Sequence, residues 1–420
     1  MKIQESKVGY QPLCPIKYFM AKGWTDNDKI IEQSNPKINA MNKLSSKTPS
    51  FTIGVEEEYM LVHPESGNLV RKVPRSLMPA MKRKLGKSVS PEFLQSQVEI
   101  GTPVCKNVRE AREQLIELRS SVSEIAQQHD MAIIAASTHP FANPQEQHIT
   151  HKPRYVNLAR DLQAVVRRLL ISGMHVHVGI DDDDLRIDLM NQASYILPHL
   201  LALSTSSPFW HGMDTGLKSY RMSVWDEMPR TGLPHAFETF SEYQRHVDIL
   251  VTAGVIEDAT KVWWDIRPSA RFPTLEMRIS DLCTSVKDAV CIAALFQCWL
   301  RMLYRLRLSN MRWRQYSNWL IGENRWRAHR YGTDNGLIDF GRGSIVEYPQ
   351  LLDEILSHIK EDAEALGCVR EIRHAKTILS TGTSAHRQLK IYYQALEKGH
   401  SEQQALKKVV DWLRKETLKF

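Results

Sequence analysis

Several short segments of this chain alternate with a period of two, and the polar side of each alternation is built from carboxylates, amides, imidazoles and guanidiniums. A strand turns successive side chains to opposite faces, so segments of this kind fit a sheet with one apolar face and one ionisable face. In FTIGVEEEYMLV, Glu56 and Glu58 share a side with Gly54, and Val55 and Tyr59 share the other. Glu57 falls on the apolar side and is the weaker candidate for a site. In LQSQVEIGTP, Gln95, Gln97 and Glu99 oppose Val98 and Ile100. In GMHVHVGI, His175 and His177 project together against Met174, Val176, Val178 and Ile180. In TLEMRISD, Glu276 and Arg278 oppose Leu275, Met277 and Ile279, and in WWDIRPSARF, Asp265 and Arg267 oppose Trp264 and Ile266.

Any one of these strands reads most simply as a half-buried antiparallel strand with a wet outer face. Together they read differently, because several carboxylates brought onto one face repel unless a cation compensates them. Oxygen ligands with an occasional imidazole suit Mg²⁺ or Mn²⁺ better than a structural zinc. The same groups are compatible with a metal-dependent hydrolase of amides or phosphate esters that activates water, and with a non-catalytic nucleotide-binding protein.

Between the strands lie amphipathic helices. Val108, Ala111, Leu115, Leu118, Val122 and Ile125 recur at helical spacing and predict a helix over 108–128, with Asn107 and Glu110 as a capping box. Further helices are expected over 185–203 and 285–308. The Asp181–Asp184 run precedes the first of these and reads as capping and macrodipole compensation rather than as metal ligands. From Tyr348 onward the pattern is helical, and Gly399 divides its last part into 386–398 and 402–418. Residues 1–50 lack such periodicity and end in SSKTPS, so they are expected to be a poorly ordered extension, with translation in the cell starting at Met41. Intact mass of the native protein tests that start.

With 420 residues, 42% of them hydrophobic, the chain can bury a sizeable core. Its apolar runs are interrupted, at Pro198 and His199 in one case and at Gln297 and Arg301 in another, so no membrane span is expected. The first twenty residues lack the apolar stretch of a secretory signal, and a cytoplasmic enzyme is expected. The six cysteines form no C-x-x-C pair and read as reduced, structural thiols. The net charge of +7 is spread along helices and mixed with acids, which points to small anions rather than nucleic acid.

The ordered set GVEEEY, QVEIGTPVC, STHPF, GMHVHVG, SPFWHGMDTGLKSYR, WWDIRPS with TLEMRISD, and ENRWRAHRYG resembles the carboxylate-amine ligases of the YbdK type. These lie within the second family of glutamate-cysteine ligases and are more remotely similar to glutamine synthetases. The resemblance implies an α+β, glutamine synthetase-like domain over 51–420, with a curved antiparallel sheet and helices on its outer face. It implies that ATP phosphorylates a carboxylate, glutamate first among them, and that cysteine or another amine attacks the acyl phosphate. Glu56, Glu58, Glu99, His175 and Glu276 match the metal-ligand positions, for Mg²⁺ or Mn²⁺, and His177 lies beside the phosphates. Arg278 would stabilise the transferring phosphoryl group, with Glu276 converging on the same oxygens. Arg325 and Arg330 fit a nucleotide clamp or a packed helix end, and Arg221 and Arg267 fit either substrate-carboxylate holders or structural ion pairs. His139 either borders the site or is structural. Gln95 stands where some relatives carry a carboxylate, which bears on the number of metals. A homo-oligomer is expected if apolar helix faces remain beyond those that cover the sheet.

Overall fold

The structure, a computed structural model, describes residues 48–420. The expected extension, Met41 and Cys14 therefore lie outside the described residues. The architecture is α+β, centred on a seven-stranded antiparallel sheet. Its strands are β1 (Ile53–Val62), β2 (Val89–Pro91), β3 (Gln97–Gly101), β4 (Ala132–Ile134), β5 (Met174–Gly179), β8 (Ile266–Pro268) and β9 (Thr274–Met277), with β6 (Phe209–Trp210) and β7 (Met213–Asp214) forming a separate hairpin. The order is β2-β3-β1-β5-β9-β8, and β4 pairs with the far end of β1.

The apolar face follows the alternation. Val55, Tyr59, Ile100, Val176 and Met277 are buried beneath the helices Val108–Gln127 and Val286–Leu308. The second of these is long and apolar enough to cross a membrane by length and composition, yet 78% of its most apolar window is buried inside the fold. It is a core helix. Glu57, the off-face glutamate of β1, is buried there too and accepts two bonds from Arg119, at 2.6 and 2.8 Å. Arg119 also donates to the carbonyls of Cys283, Thr284 and Thr417, so one guanidinium ties β1 to two other parts of the chain, at 283–284 and at 417.

The 108–128 expectation matches the helix Val108–Gln127, capped by Asn107 on the Glu110 amide; Glu110 returns its bond to Lys106 rather than to Asn107. The expected 185–203 helix is two, Asp183–Ala193 and Leu197–Ser204, joined by a 3₁₀ turn. Pro198 explains the break, since it cannot donate an intrahelical bond and fits only a first turn. Asp182 caps the Leu185 amide at 2.8 Å, as a helix-start aspartate should. Gly399 adopts φ 81° between Ser384–Glu397 and Glu402–Thr417, the left-handed geometry that ends a helix. The five described cysteines are free and buried.

Candidate active site

The polar face of the sheet floors a cavity of about 450 Å³. Strand register sorts its side chains into three rows, about 7 Å apart because residues i and i+2 are separated by two strand rises. Arg267, Glu276, His177 and Gly54 are paired across β8, β9, β5 and β1. The next row aligns Gly101, Glu56 and His175, and the third aligns Ser90, Glu99 and Glu58.

Across the first two rows, ligand atoms of Glu56, His177 and Glu276 all lie within 4.8 Å of one another. The Nε2 atom of His177 is buried without a hydrogen-bond partner among the described residues and sits 3.6 Å from Glu56. Its Nδ1 meets the Thr274 hydroxyl at 2.9 Å. That leaves Nε2 as the free nitrogen, and a buried orphan nitrogen beside a carboxylate fits a divalent ion. The family resemblance put His177 beside the phosphates and His175 among the ligands, whereas alternation alone did not distinguish them. Here His177 joins the tight group, while His175 Nδ1 lies 3.1 Å from Glu56 and 3.5 Å from Arg278. Burial would raise the Glu56 carboxyl, but the imidazoles of His175 and His177 beside it hold it well below the usual range. Burial would also raise Glu276; the guanidiniums of Arg278 and Arg267 hold it far below.

The third row is charged differently. Glu58 accepts from the Gly173 amide at 2.7 Å and Glu99 from the Ser90 hydroxyl at 2.6 Å. Glu92 joins them, bonded to the Tyr155 hydroxyl at 3.4 Å. None of the three carboxylates forms an ion pair among the described residues. Burial, then Glu56, pushes Glu99 up to about 7; burial, then Glu58 and Glu99, pushes Glu92 well above the carboxylate range. Three mutually repelling carboxylates are what a divalent ion would neutralise.

Glu92 is the residue that sequence alternation missed. It lies just past β2, outside any strand, where a period of two carries no information. The correction extends to Gln95. Although it is in phase with Gln97 and Glu99, it sits in the turn before β3, with its amide on the Ile149 carbonyl at 3.1 Å, and does not line the cavity. Gln97 does, and its amide is fixed to Ile171 and Ser172.

The arginines divide. Arg278 lines the cavity and donates to Glu276, with its Nε unpartnered among the described residues. Arg221 is buried at the cavity wall and donates to the carbonyls of Arg278 and Ile279 at 3.1 and 3.2 Å. A Cβ on Gly173 would lie 2.7 Å from its guanidinium, so a larger residue there would make Arg221 shift. Arg267, expected as a substrate holder, instead clasps Glu276 at 3.0 and 3.1 Å and donates to two backbone carbonyls. Arg325 and Arg330, expected as a nucleotide clamp, do not line the cavity. Arg325 is shared between Asp226 and Asp265, and Arg330 donates to the Gly216 carbonyl. His139 is structural. Its Nε2 meets the Gly67 carbonyl at 3.0 Å and its Nδ1 accepts from the Ala142 amide at 3.0 Å.

A sequence profile of glutamate-cysteine ligase family 2 matches residues 52–410. The chain belongs to glutamate-cysteine ligase family 2. A protein of Rhodospirillum rubrum with the provisional name glutamate--cysteine ligase 2 is 57% identical over 376 residues, which are 89% of this chain and 97% of that one. A Jannaschia protein of the same provisional name is 53% identical over 86% of this chain and 96% of its own. In fold, the chain is similar to the glutamate--cysteine ligase of Francisella tularensis solved with AMP (TM-score 0.63, 14% identity, 89% of this chain and 90% of that one). It also resembles a bifunctional glutathione synthetase from Pasteurella multocida (TM-score 0.62, 18% identity), of which it spans 52% while 87% of this chain is covered. The fold is glutamine synthetase-like. As a family 2 member the chain is an ATP-dependent carboxylate-amine ligase, acting on small-molecule carboxylate and amine substrates with ATP and a divalent metal. The hydrolase alternative is not favoured.

Proposed function

We propose that this ligase joins the side-chain carboxylate of glutamate to an amine, in the manner of a glutamate-cysteine ligase, with cysteine itself as a weak acceptor at most. Mg²⁺ or Mn²⁺ is the metal, held by Glu56, His177 and Glu276 on one side and by Glu58, Glu92 and Glu99 on the other. The observation that carries this reading is the group of three carboxylates that form no ion pair among the described residues, next to a buried imidazole nitrogen without a partner among them. Bound there, the ions would neutralise the β- and γ-phosphate oxygens of ATP.

The chain's own residues do the rest. Arg278, backed by Glu276, is aligned to meet charge on the transferring phosphoryl group. A glutamate carboxylate oxygen forms the new P–O bond as the bond to ADP breaks, its electron pair leaving on ADP. The amine nitrogen then forms the C–N bond, the acyl C–O bond breaks with its pair on phosphate, and the departing phosphate takes the amine proton. Arg221, buried against Trp225 at 5.6 Å, is the remaining candidate for the substrate's other carboxylate. The reading includes residues 51–420 as one catalytic domain, working as a homo-oligomer in the cytoplasm. Exposed Trp319 and Trp326, seven residues apart on the helix Asn318–Tyr331, support an assembly contact, and light scattering tests it.

ATP, glutamate and hydroxylamine together test the chemistry. Glutamyl hydroxamate and ADP should form in equal amounts, and ADP release that ignores both glutamate and hydroxylamine overturns the reading.

A further inference from the structure

Arg325 does not line the cavity, yet its side chain is only 12% exposed and its whole guanidinium is engaged by two carboxylates. Its Nε donates to Asp265 at 2.7 Å, its Nη1 to Asp226 at 2.7 Å, and its Nη2 to Asp226 at 2.7 Å and Asp265 at 3.3 Å. Asp265 is buried, and its carboxylate bonds no other side chain among the described residues. A planar fork that grips two acids on separate segments fixes those segments relative to each other.

What the two acids carry gives the grip its meaning. Asp265 immediately precedes β8, and its carbonyl accepts from the Arg278 amide at 2.8 Å and the Ile279 amide at 3.1 Å. Asp226 follows Trp225 at the end of the helix Tyr220–Trp225, and the Trp225 ring lies 5.8 Å from the Arg278 guanidinium. The indole is fixed on its own account by the bond it donates to the Trp263 carbonyl at 3.3 Å. The Arg278 guanidinium has one acid, Glu276; its Nη1 stands 3.5 Å from His175 Nδ1, and its Nε has no partner among the described residues. Its aim therefore depends on the strand that carries it and the ring packed beside it. Arg325 joins those two holds, one through Asp265 and the other through Asp226.

Resting on the ligase reading above, we propose that Arg325 is a positioning residue for phosphoryl transfer. Through Asp265 and Asp226 it sets the place and direction of the Arg278 guanidinium without touching nucleotide or substrate. Lysine does not replace it, because an ammonium keeps the charge but lacks the fork that meets two carboxylates at once. Stabilisation of the transferring phosphoryl group depends on that aim, and a misplacement of about 1 Å costs on the order of a hundredfold in rate.

The test reads hydroxamate formation from ATP, glutamate and hydroxylamine. Arg325→Lys should lower kcat by about tenfold to a hundredfold with the circular dichroism spectrum native and the KM for ATP within about twofold. A merely structural role would lower Tm and leave the kcat of the folded protein unchanged, and an unchanged kcat overturns the proposal. A rise in the KM for ATP makes Arg325 a nucleotide clamp and also overturns it. In a double-mutant cycle, adding Arg325→Lys to Arg278→Lys should cost little beyond Arg278→Lys alone; losses that multiply in full overturn the route through Arg278. Where Arg278→Lys leaves no turnover to read, Trp225→Phe takes its place in the cycle. If Arg325→Lys does not fold, Asp226→Asn, which weakens only the more exposed link, should lower kcat severalfold with the KM for ATP unchanged, and an unchanged kcat there overturns the proposal equally. Each of these failures, in a protein whose wild type makes hydroxamate, leaves the ligase reading standing. A wild-type chain that makes none removes both.

Discussion

Glu56, Glu57 and Glu58 are consecutive on one strand, and their surroundings could hardly differ more. Glu57 faces the core, where Arg119 meets both of its oxygens and Tyr59 donates a third bond. Its charge is cancelled within the protein. Glu56 and Glu58 face the cavity, where neither forms an ion pair with a guanidinium among the described residues. The same side chain is thus a structural strut or a candidate ligand according to the parity of its position, and what separates the two is whether the fold supplies the opposite charge or leaves it to be supplied from solution.

The sharpest way to break this comparison is to neutralise one carboxylate on each face. Glu276→Gln should lower turnover by about 10²–10³-fold while the circular dichroism spectrum stays native, and an active variant removes Glu276 from the chemistry. On the core face, Arg119→Met should cost about 3–5 kcal/mol in urea unfolding, because it strands the buried Glu57 charge with only the Tyr59 hydroxyl. Replacing both, with Glu57→Leu added, should recover most of that loss; no recovery would mean that Arg119 acts mainly through its three carbonyl contacts.

Adding Mn²⁺ at about a hundred times its dissociation constant should raise stability by about 2.7 kcal/mol, read as a shift in Tm that EDTA reverses. Glu99→Gln should shrink the shift, and a wild-type chain whose Tm ignores Mn²⁺ and Mg²⁺ argues against the metal reading. A buried histidine outside the cavity gives a smaller effect of a different kind. Burial lowers the His139 imidazole to about 4 in the folded chain, against about 6.5 when unfolded. Its contribution is therefore complete above pH 6.5 and lost as the pH falls toward 4, amounting to about 1.4 kcal/mol by pH 5.5. Relative to wild type, His139→Gln should lack that part of the pH slope in urea midpoints between pH 7 and 5. Least of all, Gln95→Glu should alter the Mn²⁺ shift by less than about 0.5 kcal/mol, since the side chain lies in a turn outside the cavity. A larger change would return Gln95 to the metal.

The sequence carried the site wherever a strand carried it. On β1, β3, β5 and β9, alternation alone separated Glu56, Glu58, Glu99, the two histidines and Glu276 from the core. It failed where the backbone left the strand. Gln95 kept the phase of Gln97 on paper, but the turn at 94–97 resets the direction of each side chain. Glu92 lay in the segment between strands and had no phase to read. Alternation also could not rank His175 against His177, because which ring nitrogen lacks a partner depends on Thr274, almost a hundred residues away. The helix break at Pro198 was visible in the sequence, and a continuous apolar pattern concealed it. Arg267 and Arg325 were legible as candidate anion holders or structural groups but not as partners of particular acids, since Glu276, Asp226 and Asp265 are brought to them by the fold.

The reach of Arg119 has a consequence for how the molecule is made. One of its carbonyl partners is Thr417, whose hydroxyl also accepts from the Ala135 amide at 2.9 Å. A nascent chain still short of residue 417 has β1 and its glutamates in hand but lacks a clasp that holds that strand from behind. That fixed point behind the site's floor is therefore set only after the helix Glu402–Thr417 has been made and packed, long after β1 itself has been synthesised.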